Sequence, residues 1–292
     1  MTQKPVFIIG GTGNIGTKAV KDLLANNVPL TLFARDPEKA KTLFPDHVDH
    51  IRIVRGNYDD LDAIKEGIQG HERLLLLVLD NQRPGEIKGN IAKIAYEAGV
   101  KQIVDISTIH MSRKYRAGFI PNGQYVADQA IHNIPNRGYL VSLRPHEFMS
   151  NLFWTTRKDM KVFADDRDEN EVAPLISPND IGAMAAVILQ EDIQKHGDMS
   201  YDMTGDLVTG KQRAAIFSKL FGHDVSYMQV TPVEKYHKLM STGYFPHAVA
   251  IDIVDTFKSG VEEKITPCIE IVLGRKPESL EEYLTSNQHR FY

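Results

Sequence analysis

Short runs of apolar residues alternate with stretches of helical periodicity over the first half of the chain. Val6-Phe7-Ile8-Ile9, Leu30-Thr31-Leu32-Phe33-Ala34, Ile51-Arg52-Ile53-Val54, Leu74 to Leu79, Gln102 to Ile106 and Tyr139 to Leu143 each have the length of a strand. Continuous apolar character, rather than strict alternation, marks strands buried on both faces, as in a parallel sheet. Between them, Ile15, Ala19, Val20, Leu23 and Leu24 fall on one helical face. Further helices are predicted from Pro37, over Leu61 to Ile68, over roughly Glu86 to Ala98, and around Tyr125 to His132. Strand–helix alternation over about 145 residues requires right-handed crossovers between parallel strands, which is an α/β doubly wound sheet.

After Arg144-Pro145 the rhythm breaks. The charged run Asp165 to Glu171 reads as a solvated loop. A helix follows Asp180, placed to cap it, with Ile181, Met184, Val187 and Ile188 on its apolar face. Ser200 to Thr204 is a candidate last strand, and from about residue 205 the pattern is mainly helical. The expected organisation is a larger domain over residues 1–155, with a returning segment near 175–205, and a smaller, mainly helical substrate-side domain over 156–292.

Composition narrows the function classes. Of 292 residues, 42% are hydrophobic and 25% charged, ordinary for a soluble globular chain. A net charge of −4 gives no reason to expect nucleic acid, and the short basic cluster Arg113-Lys114-Tyr115-Arg116 is read as a solvated loop. The single cysteine, Cys268, excludes an intramolecular disulfide and is read as a small buried hydrophobe. The N-terminus lacks signal-peptide character and no apolar run reaches membrane-spanning length, so a cytoplasmic protein without a membrane partner is expected. The 11 histidines show no ligand spacing, so no metal is expected; no Gly-x-Ser-x-Gly elbow or Gly-Lys-Ser/Thr phosphate loop occurs.

Hydride chemistry remains, because the first strand ends in Gly10-Gly11-Thr12-Gly13-Asn14-Ile15-Gly16 and opens an amphipathic helix. That context makes the glycine triplet a dinucleotide loop of Rossmann type. Gly10 allows the sharp turn, Gly13 the approach of a pyrophosphate, and Gly16 close helix–strand packing. Thr12, Asn14 and Ile15 complete the phosphate-binding turn at the helix N-terminus. After the second strand, Phe33-Ala34-Arg35-Asp36-Pro37 offers Arg35 to a 2′-phosphate, with Lys39 nearby. Asp36 either reaches the ribose or caps the helix at Pro37, and capping is favoured. The expectation is NADP(H) in preference to NAD(H). Asn57 and Tyr58 are placed beside the adenine, and Leu79 and Asp80 beside the nicotinamide ribose, or else are ordinary loop residues.

The glycine loop, Ala34-Arg35-Asp36-Pro37 and Leu143-Arg144-Pro145-His146-Glu147-Phe148-Met149-Ser150-Asn151 together resemble the NmrA-like family, an atypical branch of the short-chain dehydrogenase/reductase superfamily. The likeness extends through Asp180-Ile181 to Leu220-Phe221-Gly222. It implies a cleft between two domains and either of two roles. Some members are NADPH-dependent reductases of quinones, dyes, iminium ions and phenolics. Others sense the NADP(H) pool and bind a regulatory protein partner.

In the wider superfamily a Ser after the fifth strand acts with a Tyr-x-x-x-Lys pair. Ser107 and Tyr125 match that pattern, but Gln129 stands where the lysine belongs. A neutral amide cannot lower a phenol whose ordinary pKa is about 10, so Tyr125 is a donor rather than a base, or else a packing residue. His110, Lys114 and His146 are alternative sources of a proton or charge, or structural residues. Phe148, Met149, Phe153 and Trp154 form either one wall of the substrate pocket or the seam between domains. The first expectation is a reductase of a small conjugated electrophile; the second is a regulator without turnover.

Overall fold

The computed structural model describes residues 4–112, 116–255, 257 and 263–291. Its central sheet has seven strands: β1 (Val6–Ile9), β2 (Leu30–Ala34), β3 (Ile51–Arg55), β4 (Arg73–Leu76), β5 (Gln102–Ile106), β6 (Tyr139–Pro145) and β10 (Ser200–Met203). They lie in the order β10-β6-β5-β4-β1-β2-β3, and every pairing is parallel. The fold is a doubly wound Rossmann-type sheet.

Burial on both faces explains the apolar runs. Val6 and Ile8 point into a core formed with α1 (Asn14–Ala25) and α7 (Pro178–Ile188), while Phe7 and Ile9 point into one formed with α3 (Leu61–Gly67), α4 (Pro84–Glu97) and α5 (Phe119–His132). α2 (Pro37–Leu43) joins the first core through Ala40. The α1–α7 contact is close: a Cβ on Gly182 would stand 2.6 Å from the Ile15 carbonyl oxygen.

A third core gathers Met149, Leu152, Phe153, Phe163, Leu175, Phe217 and Tyr283. It is enclosed by α6 (Leu152–Thr155), α9 (Gly210–Phe221), α13 (Leu280–Ser286) and two small sheets. One sheet orders β11 (Asp206–Thr209), β9 (Val172–Ile176) and β7 (Glu147–Phe148); the other pairs β12 (Ser226–Gln229) with β8 (Val162–Asp165). α8 (Ile193–His196) precedes β10, and α10 (Pro232–Ser241) packs on α11 (His247–Val254) around Leu239, Ala250 and Val254. The later region is therefore less helical than its pattern suggests. α12 (Cys268–Leu273) returns to the larger body, where Ile269 is fully buried in the first core.

Three local readings change. The fourth strand ends at Leu76, since Leu77 and Val78 stay buried in a loop while Leu79 is 69% exposed. The helix expected to be capped by Asp180 is capped by Ser177, whose Oγ accepts from Asn179 N at 3.0 Å. Asp180 is buried instead, accepting from Glu278 N at 2.8 Å and pairing with Arg275 at 2.8 Å. Third, Asp165, Asp166 and Arg167 are buried rather than solvated. Asp165 lies 2.6 Å from both Arg213 and Lys235, and Lys235 also bonds Asp166 at 2.9 Å.

Candidate dinucleotide and substrate site

Parallel register places the C-terminal ends of β2, β1, β4 and β5 side by side, so the loops that follow them share one edge of the sheet. In the glycine loop, Gly10 has φ +85°, and a Cβ there would lie 2.6 Å from the Leu77 carbonyl oxygen. A Cβ on Gly16 would stand 2.1 Å from the Gly10 oxygen. Both residues are demanded by the fold. Gly13 differs: its φ is −91°, and a Cβ would meet nothing closer than 3.7 Å. Among the described residues no side chain caps α1, and its first turn holds no acid. These N–H groups and the positive end of the helix dipole suit a phosphate, and Gly13 leaves room for one. The loop fits a dinucleotide.

Arg35 and Lys39 are exposed at the β2–α2 junction. Asp36 caps α2, its Oδ1 accepting from Glu38 N at 3.0 Å and Lys39 N at 3.1 Å. Asn57 Oδ1 accepts from Asp59 N at 2.8 Å, and Asp80 Oδ1 accepts from Gln82 N and Arg83 N at 2.8 Å. These oxygens hold their own turns. Tyr58 links the two loops by accepting from Leu79 N at 3.3 Å.

Ser107 follows β5 directly and is buried, donating from Oγ to the Met111 sulfur at 3.0 Å. Tyr125 is half-buried on α5, and Gln129 is exposed one turn later. The first turn of α5 is held from far along the chain: Asp252 on α11 accepts from Phe119 N at 3.0 Å and Ile120 N at 2.7 Å.

His110 and His146 meet edge to face at 5.5 Å, and His110 stacks on Phe257 at 4.6 Å. His146 Nδ1 lies 2.5 Å from Thr204 Oγ1. Burial, aided by the Arg167 charge, lowers the His146 pKa to about 4, so its ring is neutral at pH 7. The aromatic segment does not stay together. Phe148 is half-buried against the first core, Met149 and Phe153 are buried in the third, and Trp154 is 53% exposed beside Tyr244 at 5.1 Å. Met149 is thus a core residue, not an open pocket wall. Lys114, with Arg113 and Tyr115, lies outside the described residues.

Sequence reasoning missed Phe257, Tyr244 and Asp252, which reach the site only through tertiary folding. It also missed Lys88, fully buried on α4. A signal existed: Lys88 sits four residues from both Pro84 and Ala92 on the buried helix face, and Asp105 interrupts an apolar strand. A concavity of about 960 Å³ at the opposite, N-terminal edge of the sheet is wide open. Its charged groups are already engaged, Arg137 with Asp198 at 2.7 Å and Arg73 with the Glu191 carbonyl at 2.7 Å. Among the described residues no cluster of His, Cys, Asp or Glu could hold a metal, and no helix is long and apolar enough to cross a membrane.

The fold is of Rossmann type, with a glycine loop between β1 and α1 that has the shape of a dinucleotide loop. The chain belongs to the NmrA-like family, whose pattern it matches over residues 2–288. It is 24% identical to prestalk A differentiation protein A of Dictyostelium discoideum over 97% of this chain and 92% of that protein. It is 22% identical to an NAD(P)H azoreductase of Xenophilus azovorans, covering 84% of this chain and 83% of that one. An NADPH-dependent quinone oxidoreductase of Escherichia coli, solved with NADPH, superposes with a TM-score of 0.80 at 22% identity, covering 97% and 99% of the two chains.

Proposed function

We propose that the protein is an NADPH-dependent reductase that passes hydride to a small conjugated or aromatic electrophile of quinone, enone or iminium type. The carrying observation is the uncapped α1 N-terminus with open space at Gly13, in a fold shared with a reductase solved with NADPH. The azoreductase relative supports the same class. On this reading residues 1–155 with the return near 175–205 bind the cofactor, and 156–292 close the substrate side.

When bound, the nicotinamide cofactor supplies the hydride. The backbone from Thr12 to Gly16 holds the pyrophosphate. With Asp36 committed to its cap, Arg35 and Lys39 are left to take the 2′-phosphate, which favours NADP(H) over NAD(H). Asn57, Leu79 and Asp80 border the cofactor from the neighbouring loops. Tyr125 donates a hydrogen bond to the acceptor oxygen, and Ser107 braces its surroundings. Gln129 is neutral and exposed, so nothing at that position makes Tyr125 a base; reduction is served better than alcohol oxidation. The neutral His146, edge to face with His110, suits an uncharged acceptor whose orientation supplies most of the rate.

The test is NADPH oxidation by the pure protein against quinones, enones and cyclic iminium ions. Turnover that falls with Tyr125→Phe is expected; tight NADPH binding without turnover of any class would sink the reading. A second reading, an NADP(H)-responsive regulator binding a protein partner, is favoured by Gln129 alone. It requires unequal affinities for NADPH and NADP⁺.

A further inference from the structure

We propose that Lys88 is a positioning residue that fixes Ser107 and Tyr125 relative to each other, and that it acts with Asp105 and Gln124. The inference rests on the preceding reading of the site. Lys88 Nζ lies 2.8 Å from Asp105 Oδ1 and 3.0 Å from Oδ2, donates to the Ile106 carbonyl at 2.9 Å and to Gln124 Oε1 at 2.7 Å. An ammonium carries three N–H donors, and three groups receive them here. All of this happens in the second core, where Lys88 has no exposed surface.

What the three partners adjoin gives the cluster its meaning. Ile106 ends β5 and immediately precedes Ser107. Gln124 immediately precedes Tyr125 on α5. One ammonium from α4 therefore ties together the strand end and the helix that carry the two candidate groups. Packing does not require it. α4 and α5 already approach closely through glycines: a Cβ on Gly85 would lie 2.6 Å from Val126, one on Gly123 2.9 Å from Pro84, and one on Gly89 3.1 Å from Ala130.

A buried ion pair is also a poor device for stability alone, because desolvation offsets its attraction and apolar replacements of similar volume are commonly neutral or stabilising. What it offers beyond apolar packing is direction: each N–H bond fixes a distance and an angle, whereas dispersion contacts tolerate sliding. Burial pushes the Asp105 carboxyl pKa up against the pull of Lys88, so removing the lysine alone leaves an acid with no counter-charge. The informative variant removes both charges.

The experiment compares wild type with Lys88→Met/Asp105→Asn and with Gln124→Met, which keeps both charges and removes one acceptor. Three quantities are read: the unfolding midpoint, NADPH oxidation with menadione, and amide hydrogen exchange with NADPH present. The double variant is expected to keep its KM and to unfold at a somewhat lower midpoint, because the buried Ile106 carbonyl and Gln124 Oε1 lose their donor. Its kcat should fall by about tenfold to a hundredfold, as small misplacements of reacting groups do. Exchange should accelerate at 106–108 and 119–126 only, and Gln124→Met should move both readouts the same way by less. Wild-type kcat together with unchanged exchange in the double variant would overturn the proposal. Should the double variant fail to fold, Gln124→Met alone decides by the same two outcomes. Should wild type not reduce menadione, the reductase reading fails for that acceptor, and exchange decides the positioning role separately. Loss of protection confined to those two segments supports it; unchanged protection, or loss spread through α4 and α5, refutes it.

Discussion

Gly13 and Gly16 stand three residues apart in one loop, yet the protein asks different things of them. Gly16 is required by the chain itself, because any Cβ would overlap the Gly10 carbonyl. Gly13 is in an ordinary backbone region with open space around it, so a methyl group there obstructs only a ligand. Gly16→Ala should therefore cost about 3 kcal/mol or more of stability, as overpacking does. Gly13→Ala should leave stability within about 1 kcal/mol and weaken NADPH binding, read by denaturant titration and by cofactor fluorescence. His146 makes a prediction in pH. Its pKa falls from 6.5 to about 4 on folding, so between those values the unfolded chain binds the extra proton. Stability is fully present above pH 6.5 and is lost as pH falls toward 4, by at most about 3 kcal/mol. His146→Gln should flatten that part of the stability–pH curve, and an unchanged slope would assign the loss to other groups.

At the scale of elements, legibility followed burial. β1, β2 and β5 read clearly because both faces are covered, and α1 because one stripe of it is. β12 was missed because its residues are mostly exposed and mixed in polarity, and β7 because two residues carry no period. The pattern starts α5 near Tyr125, whereas the helix begins at Phe119, because Pro121 and Gly123 look like breakers. Proline is tolerated in a first turn, where its missing N–H had no intrahelical partner. The remaining first-turn N–H groups found theirs in Asp252, a cap no local pattern can reveal. Asp252→Ala should cost about 1–2 kcal/mol and speed amide exchange at Phe119 and Ile120. Gly118→Ser in that background supplies a cap from the helix's own N-cap position. Recovery of protection without recovery of turnover would mean that the tie to α11 matters in itself. The candidate site divides the same way: its contiguous loop was legible, whereas the meeting of His110 with His146, and of Lys88 with Asp105, depends on the finished fold.

For the molecule as a whole, the path of the chain determines how it comes apart. The third core takes residues on either side of α7 and β10, which belong to the central sheet and its flank, and α12 returns to that flank before α13 re-enters the third core. Neither body can unfold without loosening strands or helices connected directly to the other, so a single cooperative transition is expected. Trp154, the one tryptophan, is half-exposed on α6, the helix that sends Leu152 and Phe153 into the third core, so its fluorescence follows that helix while far-UV circular dichroism follows the whole. The two signals should change together in denaturant. Arg213→Met provides the harder test. It strips one partner from Asp165, whose carboxyl Lys235 and Arg213 hold well below the usual carboxylate range, and leaves it with Lys235 alone in a buried setting. Breaking such a cluster costs about 3–5 kcal/mol. If the bodies are coupled, both signals shift to lower denaturant by the same amount and remain coincident. If Trp154 fluorescence moves and the dichroism does not follow, the third core unfolds on its own, and the interleaved chain path confers no cooperativity.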